Sequence, residues 1–454
     1  MVDIDKRANN SDADLPAGFK MTEMGPLPEE WEVVRLGEVV KKARSGGTPL
    51  RSKKEYWNGS IPFALIEDLT ASGLYLYRTK ESISEEGLRN SSAWIVPEGS
   101  ILLSMYATIG ATAVNKIPLA TNQAILALVP TENLNAEFGA LLLSYKADEL
   151  ARFNVQSTQK NINKGIVLRF FIPLPPLSEQ RAIAHVLRTV QRAKEATERV
   201  IQTTRELKKS LMRYLFTYGP VLIEEAERVS FKETEIGLVP EHWEVVRLGE
   251  IFEIQQGKAL SPKSRFGSRM RPFLRTANIL WGRIDLSNVD YMHFEESEEQ
   301  RLALRAGDLL VCEGGDIGRT AIWNGQIQPC YYQNHLHRLR PNCSDVEPTF
   351  YMYWMETAWT ILRLYGGAGN KTTIPNLSQS RLSSFPIPFP SLSEQRTIAR
   401  VLRTVDKKLQ AEEARKQALE ELFKTLLHNL MTGEIRVKDV VLPNVGEGKG
   451  DITN

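Results

Sequence analysis

One long stretch of this chain occurs twice. Phe19, Lys20, Thr22, Glu23, Gly25 and Pro28, followed by Trp31-Glu32-Val33-Val34-Arg35-Leu36-Gly37-Glu38, return as Phe231, Lys232, Thr234, Glu235, Gly237 and Pro240, followed by Trp243-Glu244-Val245-Val246-Arg247-Leu248-Gly249-Glu250, an offset of 212 residues. A second block, residues 177–190, opens Leu177-Ser178-Glu179-Gln180-Arg181 and returns at residues 392–405, offset by 215. Solenoid units repeat every 20 to 50 residues or so, so this is a duplication of whole domains. The length of 454 residues agrees, since it exceeds one ordinary core. A duplicated domain in a single chain points to a target with two parts.

Composition narrows the class. Apolar residues make up 42% and charged residues 25%, the balance of a soluble globular protein. No run of 18 apolar residues occurs, which predicts no membrane span. Residues 1–15 are polar with mixed charge and lack the apolar core of a secretory signal. The three cysteines, Cys312, Cys330 and Cys343, form no Cys-x-x-Cys pair and predict a reducing cytoplasm. A net charge of +2 says nothing about nucleic acid, so local charge has to. Lys258, Lys263, Arg265, Arg269, Arg271 and Arg275 follow one another with no acid between them, and residues 285–299 are then acidic. This predicts a domain with one basic face.

The order of segments predicts an α+β chain. Residues 1–18 read as a disordered leader. Residues 19–177 form a first globular region of short strands such as residues 100–104 and 124–129, with a helix over 136–153. After Pro173-Leu174-Pro175-Pro176, residues 178–217 lack proline, and Ile183, Leu187, Val190, Ile201, Leu207, Leu211 and Leu215 recur at helical spacing. Ser178 is the predicted cap. A helix of roughly 38 residues would be about 55 Å long, a length that suits a coiled-coil partner. A linker over 218–230 leads to a second globular region, 231–391. Ser393 opens a second long helix, 392–432, striped by Ile398, Leu402, Val405, Leu409, Leu419, Leu422, Leu426 and Leu430 and ended by Gly433. Residues 433–454 are a C-terminal tail. The simplest packing sets the two helices antiparallel as a spacer between two globular domains, with a pseudo-two-fold internal repeat.

No catalytic constellation stands out. His335 and His337 could share a strand face, but no third metal ligand is suitably spaced. Gly314-Gly315-Asp316-Ile317-Gly318-Arg319-Thr320 is one residue short of a phosphate loop, with arginine in place of lysine, and Gly366-Gly367-Ala368-Gly369-Asn370-Lys371-Thr372 has Asn370 where glycine is required; both read as turns. The candidate contacts lie in polar and basic loops. In the first half these are Thr48, Arg51, Lys53 and Lys54 after Gly46-Gly47, then Gln159, Lys160 and Asn161. In the second half they are Lys258, Lys263, Arg265, Arg269 and Arg271, then Asn370, Lys371 and Thr372. Lysine and arginine neutralise phosphates, and arginine and amide groups also read base edges. A single basic loop is ordinarily just solvated; a matching pair favours DNA. Trp31 and Trp243 read as core. Between the repeated blocks the halves diverge, and Tyr56-Trp57-Asn58-Gly59-Ser60-Ile61 has no close match in the second.

The paired Gly-x-x-Pro-x-x-Trp-Glu-Val-Val-Arg-Leu-Gly-Glu blocks at 25–38 and 237–250, with the Pro-x-Pro … Leu-Ser-Glu-Gln-Arg blocks at 173–181 and 388–396, resemble the specificity subunits of type I restriction–modification enzymes. Ser45-Gly46-Gly47-Thr48-Pro49 with Tyr56-Trp57 also resembles the opening of a recognition domain of that family. The resemblance covers residues 19–435. It implies a non-catalytic reader of double-stranded DNA, with target-recognition domains at 19–177 and 231–391 each reading one half of a bipartite site. It implies helices that fix the gap between the halves, two modification (methyltransferase) subunits bound around them, and restriction subunits joining as well. S-adenosylmethionine, ATP and magnesium would belong to those partners, with no cofactor in this chain. Dissimilar recognition regions imply an asymmetric site. The competing reading is a duplicated adaptor that binds two protein partners without reading DNA.

Overall fold

A computed structural model describes residues 15–106, 108–152, 162–365 and 377–437. They form two compact units. The first takes the described residues up to Glu198 and those from Arg415 onward, and the second is Arg199–Ala414. In the first, a five-stranded sheet runs in the order Val40–Ser45, Ile125–Pro130, Ile101–Ser104, Thr112–Asn115, Tyr75–Leu76, beside a three-stranded sheet Ala120–Thr121, Trp57–Ala64, Glu81–Ile83. In the second, a four-stranded sheet runs Phe252–Gln256, Leu336–Pro341, Leu309–Cys312, Thr320–Ile322, beside Asp290–His293, Met270–Leu274, Tyr331–Tyr332. The one parallel pairing of each three-stranded sheet recurs as well, Ala120 with Phe63 and Tyr331 with Phe273. The centres that diverge in sequence therefore share a strand plan.

The central strands explain why the plan survives divergence. Side chains alternate across a strand. Ile101 and Leu103 enter one core of the first unit while Leu102 enters another; Leu309 and Val311 are likewise separated from Leu310 and Cys312 in the second. A strand covered on both faces needs only a short continuous apolar run, with no particular residues.

The repeated blocks bind each other. Strand Glu32–Arg35 pairs antiparallel with Phe171–Leu174, and Glu244–Arg247 with Pro386–Phe389, in the same register. Trp31 and Trp243 are fully buried. Their Nε1–H groups donate to Glu179 and Glu394, each at 3.0 Å. Buried Gln180 donates to the carbonyls of Asn133 and Pro175 and accepts from the Asn135 N–H. Buried Gln395 does the same with Asp345, Pro390 and Glu347. Asn135 and Glu347 are the N-caps of helices Ala136–Tyr145 and Pro348–Thr360, so each glutamine fastens a long helix to its domain.

The long helices are Leu177–Tyr218, 42 residues, and Leu392–Thr432, 41 residues. Each rises about 60 Å, somewhat more than the expected 55 Å. In each unit the start of one helix lies antiparallel to the end of the other. Glu198 pairs with Lys416 in the first unit, and Arg205 with Glu413 at 2.7 Å in the second. Leu426, Leu430 and Met431 join the core around Trp31; Met212, Leu215 and Phe216 join the core around Trp243. Each globular region is thus completed by the far end of the other region's long helix. Gly219 and Gly433 follow these ends at φ of +80° and +73°, a left-handed turn that favours glycine. Each backs onto the repeated tryptophan. In the second unit Lys208 is buried 3.0 Å from both Glu356 and Asp406, and the Tyr353 hydroxyl donates to Asp406 at 2.6 Å. Burial pulls the Lys208 pKa down, but the two carboxylates together hold it above the ordinary value.

Several expectations need correcting. The helix over 136–153 is two helices, Ala136–Tyr145 and Ala147–Arg152. The first long helix begins at Leu177, after Pro176, so Ser178 lies in its first turn; in the second copy Ser391, not Ser393, exchanges hydrogen bonds with Glu394. Leu207 and Leu422 are exposed, because ion pairs rather than apolar knobs fill the middle of the helices. Residues 433–437 are no free tail: Arg436 forks onto Glu179 at 2.7 and 2.9 Å and reaches Glu30 at 2.9 Å. Replacing Gln395 with Ala would orphan two buried carbonyls and one N–H. Urea unfolding of the second unit, followed by tryptophan fluorescence, should show a loss of about 3 kcal/mol.

Candidate nucleic-acid interface

In the first unit the loop after Val40–Ser45 is drawn against the neighbouring strand. The Gly47 N–H donates to the Thr121 carbonyl at 3.0 Å, and the Thr48 hydroxyl donates to Gln123 at 2.7 Å. A Cβ on Gly46 would lie 1.8 Å from the Thr121 oxygen, so only glycine fits this approach. Arg51 pairs with Glu81 at 2.8 Å and lies 3.8 Å over the Trp57 ring. Lys53 pairs weakly with Glu55 at 3.5 Å, and Lys54 is exposed without an ion pair among the described residues. Thr48, Lys53 and Lys54 thus present polar and cationic groups on one anchored loop.

The second unit overturns the expected basic face. Strand Met270–Leu274 pairs antiparallel with Asp290–His293, and helix Glu296–Leu302 follows directly, so the acidic run lies against the basic one. Lys258 pairs with Glu298 and donates to the His293 carbonyl. Arg269 pairs with Glu299 at 2.9 Å and Glu296 at 3.4 Å, Arg271 with Glu299 at 2.7 Å, and Arg275 with Asp290 at 3.0 Å. The hydrogen bonds from Arg269 and then Arg271 hold the Glu299 carboxyl down to about 2. Of the predicted contacts here, Arg265 is exposed and carries no ion pair among the described residues, next to Phe266 at 81% exposure. Lys263 lies in the same turn, Pro262–Arg265.

Gln159, Lys160, Asn161, Asn370, Lys371 and Thr372 lie outside the described residues. The first described residues after them, Ile162 and Leu377, donate their N–H groups to the Met105 and Glu313 carbonyls at 3.1 and 3.0 Å. Met105 and Glu313 begin the same hairpin in the two units. That hairpin, the loop after the first sheet strand, and the turn before Ile125 or Leu336 meet at one end of each domain.

Sequence reasoning missed a cluster there. Gln256 Nε2 donates to Glu313 Oε2 at 2.8 Å, and His337 Nε2 lies 3.9 Å from the same oxygen while donating to the Leu377 carbonyl at 2.8 Å. Burial pushes the His337 pKa down, which favours the neutral ring. His335 is exposed and lies outside the strand, so the two histidines share no face. No group of three or more metal-ligating side chains comes together among the described residues. Glu313 escaped notice because it adjoins the glycine run read as a turn; aligning the copies strand by strand would have set it against Met105.

The sequence profile described as the type I restriction modification DNA specificity domain matches residues 28–207 and again 240–421. The chain belongs to this family. It is 26% identical over 429 residues to the type I restriction enzyme MjaVIII specificity subunit of Methanocaldococcus jannaschii, covering 91% of this chain and 95% of the relative. It is 26% identical over 433 residues to the MjaIX specificity subunit of the same organism, covering 93% and 97%. The type I system S subunit of M. genitalium shares the fold, with a TM-score of 0.57 at 17% identity over 88% of this chain and 96% of that one. No helix among the described residues is long and apolar enough to cross a membrane.

The ion pairs of the second specificity domain set a pH dependence. The Glu299 pKa is depressed on folding, so its stabilisation is complete above the unfolded value near 4.3 and is lost as pH falls toward about 2. Acid titration of stability should show this loss for the natural chain, and Glu299→Gln should flatten that part of the curve.

Proposed function

We propose that this chain is the DNA-specificity subunit of a type I restriction–modification complex. Its two domains each read one half of a bipartite, asymmetric site in double-stranded DNA, and so direct adenine methylation or restriction by partner subunits. The observation that carries this reading is the pairing of two specificity domains that share one frame but carry unlike side chains at the loop end. Loop lysines and Arg265 would meet phosphates, which position the duplex, while groups at the sheet ends would meet base edges. The chain itself would be non-catalytic and hold no cofactor. Two modification subunits would use S-adenosylmethionine, and restriction subunits would use ATP and magnesium, in the cytoplasm. The repeated frame supports two equivalent docking places, since exposed Arg181 and Arg396 recur beside buried glutamines without serving the core.

Co-expression with the modification subunits and genome-wide mapping of methylated adenines tests this directly: two short specified halves around a fixed gap are expected. Exchanging residues 39–170 for those of a relative should change one half-site and leave the other intact; a change in both would refute independent reading. Inserting four residues into both long helices lengthens each by about 6 Å, or roughly two base pairs of duplex. The gap in the mapped sequence should shift, and an unchanged gap would refute the spacer role.

A further inference from the structure

Equivalent positions of the two domains can be matched by hydrogen bonding alone. Gln256 pairs across the sheet with His337 as Ser45 does with Leu126. Glu313 accepts the Leu377 N–H on its carbonyl as Met105 accepts that of Ile162. The Glu313 N–H donates to the His335 carbonyl as the Met105 N–H donates to that of Ala124, both at 2.9 Å. The frame at this sheet end is therefore the same, and it is filled by Ser45, Met105 and Leu126 in one domain and by Gln256, Glu313 and His337 in the other.

The polar filling has no structural necessity. The first domain shows that the frame accepts buried Met105 and Leu126. In the second, the Glu313 side chain is only 6% exposed, and among the described residues its one hydrogen-bond donor is Gln256. His337 donates through Nε2, which leaves Nδ1 buried with no partner among the described residues. A carboxylate so enclosed is unfavourable unless further donors reach it, and breaches of local packing rules mark functional sites. The two residues after Glu313 leave space at the surface: among the described residues a Cβ on Gly314 or Gly315 would meet nothing within 4 Å, and Gly315 is exposed. The candidate DNA loop is adjacent: Gln256 Nε2 also donates to the Asn334 carbonyl at 2.9 Å, and the Asn334 N–H donates to that of Lys258 at 2.9 Å.

We propose that Glu313, held by Gln256, is a base-reading residue of the second domain that accepts a hydrogen bond from an exocyclic amino group in the major groove, cytosine N4 or adenine N6. A carboxylate only accepts, so it selects amino bases and rejects keto bases at one position of one half-site. The proposal rests on the DNA-specificity reading above.

The test uses the full chain co-expressed with its modification subunits, with methylated adenines mapped for three versions. The natural chain should specify cytosine or adenine on one strand at a position of the second half-site, and the map says which. Glu313→Gln, which can donate as well as accept, should admit keto bases there, with discrimination falling roughly ten- to a hundredfold and the first half-site unchanged. The triple variant Gln256→Ser, Glu313→Met, His337→Leu transplants the first domain's own side chains. It should lose the preference while its Tm stays level or rises. Unaltered recognition by both variants, a change in the first half-site, or unfolding of the triple variant would each overturn the role of Glu313. A natural chain that yields no bipartite sequence would instead sink the specificity-subunit reading itself.

Discussion

The structure depends on a part-buried hydrogen bond made twice, from a buried tryptophan indole to a glutamate at the start of a long helix. Trp31 with Glu179, and Trp243 with Glu394, join the two repeated sequence blocks within each unit. An unpaired buried carboxylate or indole N–H would be costly, so the helix start is tied to one place on the domain. Gln180 and Gln395 then tie the next helix to the same point. The far end of the opposite long helix closes over this joint. Because of this order of attachment, the frame repeats nearly unchanged while the sheet ends differ.

The two joints are completed differently. In the first unit Arg436 bridges Glu179 and Glu30. In the second, His242 stands where Glu30 stood and bonds Glu394 itself at 2.8 Å, and no arginine bonds Glu394 among the described residues. A cavity of about 460 Å³, lined in part by His242, Glu394, Tyr218 and Arg228, opens beside it. A cation therefore meets the half-buried glutamate in the first unit and an imidazole does so in the second. Within the second unit's globular region, charge is used for folding: Asp290 and the acidic helix Glu296–Leu302 neutralise Lys258, Arg269, Arg271 and Arg275, and Arg265 is exposed with no ion pair among the described residues.

Much of the architecture was legible in the sequence. The Trp-Glu-Val-Val-Arg-Leu-Gly-Glu and Leu-Ser-Glu-Gln-Arg blocks marked two domains and the starts of two helices, because each is a contiguous stretch that occurs once in each half. Helical spacing of leucines found the long helices to within a few residues. Lys258, Arg269 and Arg271 were misread as a free basic face, because strand pairing between residues 270–273 and 290–293 cannot be seen in charge order alone. Glu313 was passed over, and His337 was weighed only as a metal ligand beside His335, for a similar reason: along the chain both lie far from the basic loop at Lys258, yet Gln256 links that loop to their sheet end.

The sequence by itself determined the duplication, the helices, the anchoring blocks and the family, since each is written in contiguous residues whose spacing reflects local backbone geometry. Tertiary structure alone decided which charges stay free, how each domain is closed by the other domain's helix, and which unlike residues occupy the same place. Those are outcomes of pairing between distant segments; in the sheets, a one-residue change in strand register would move every side chain of that strand to the other face.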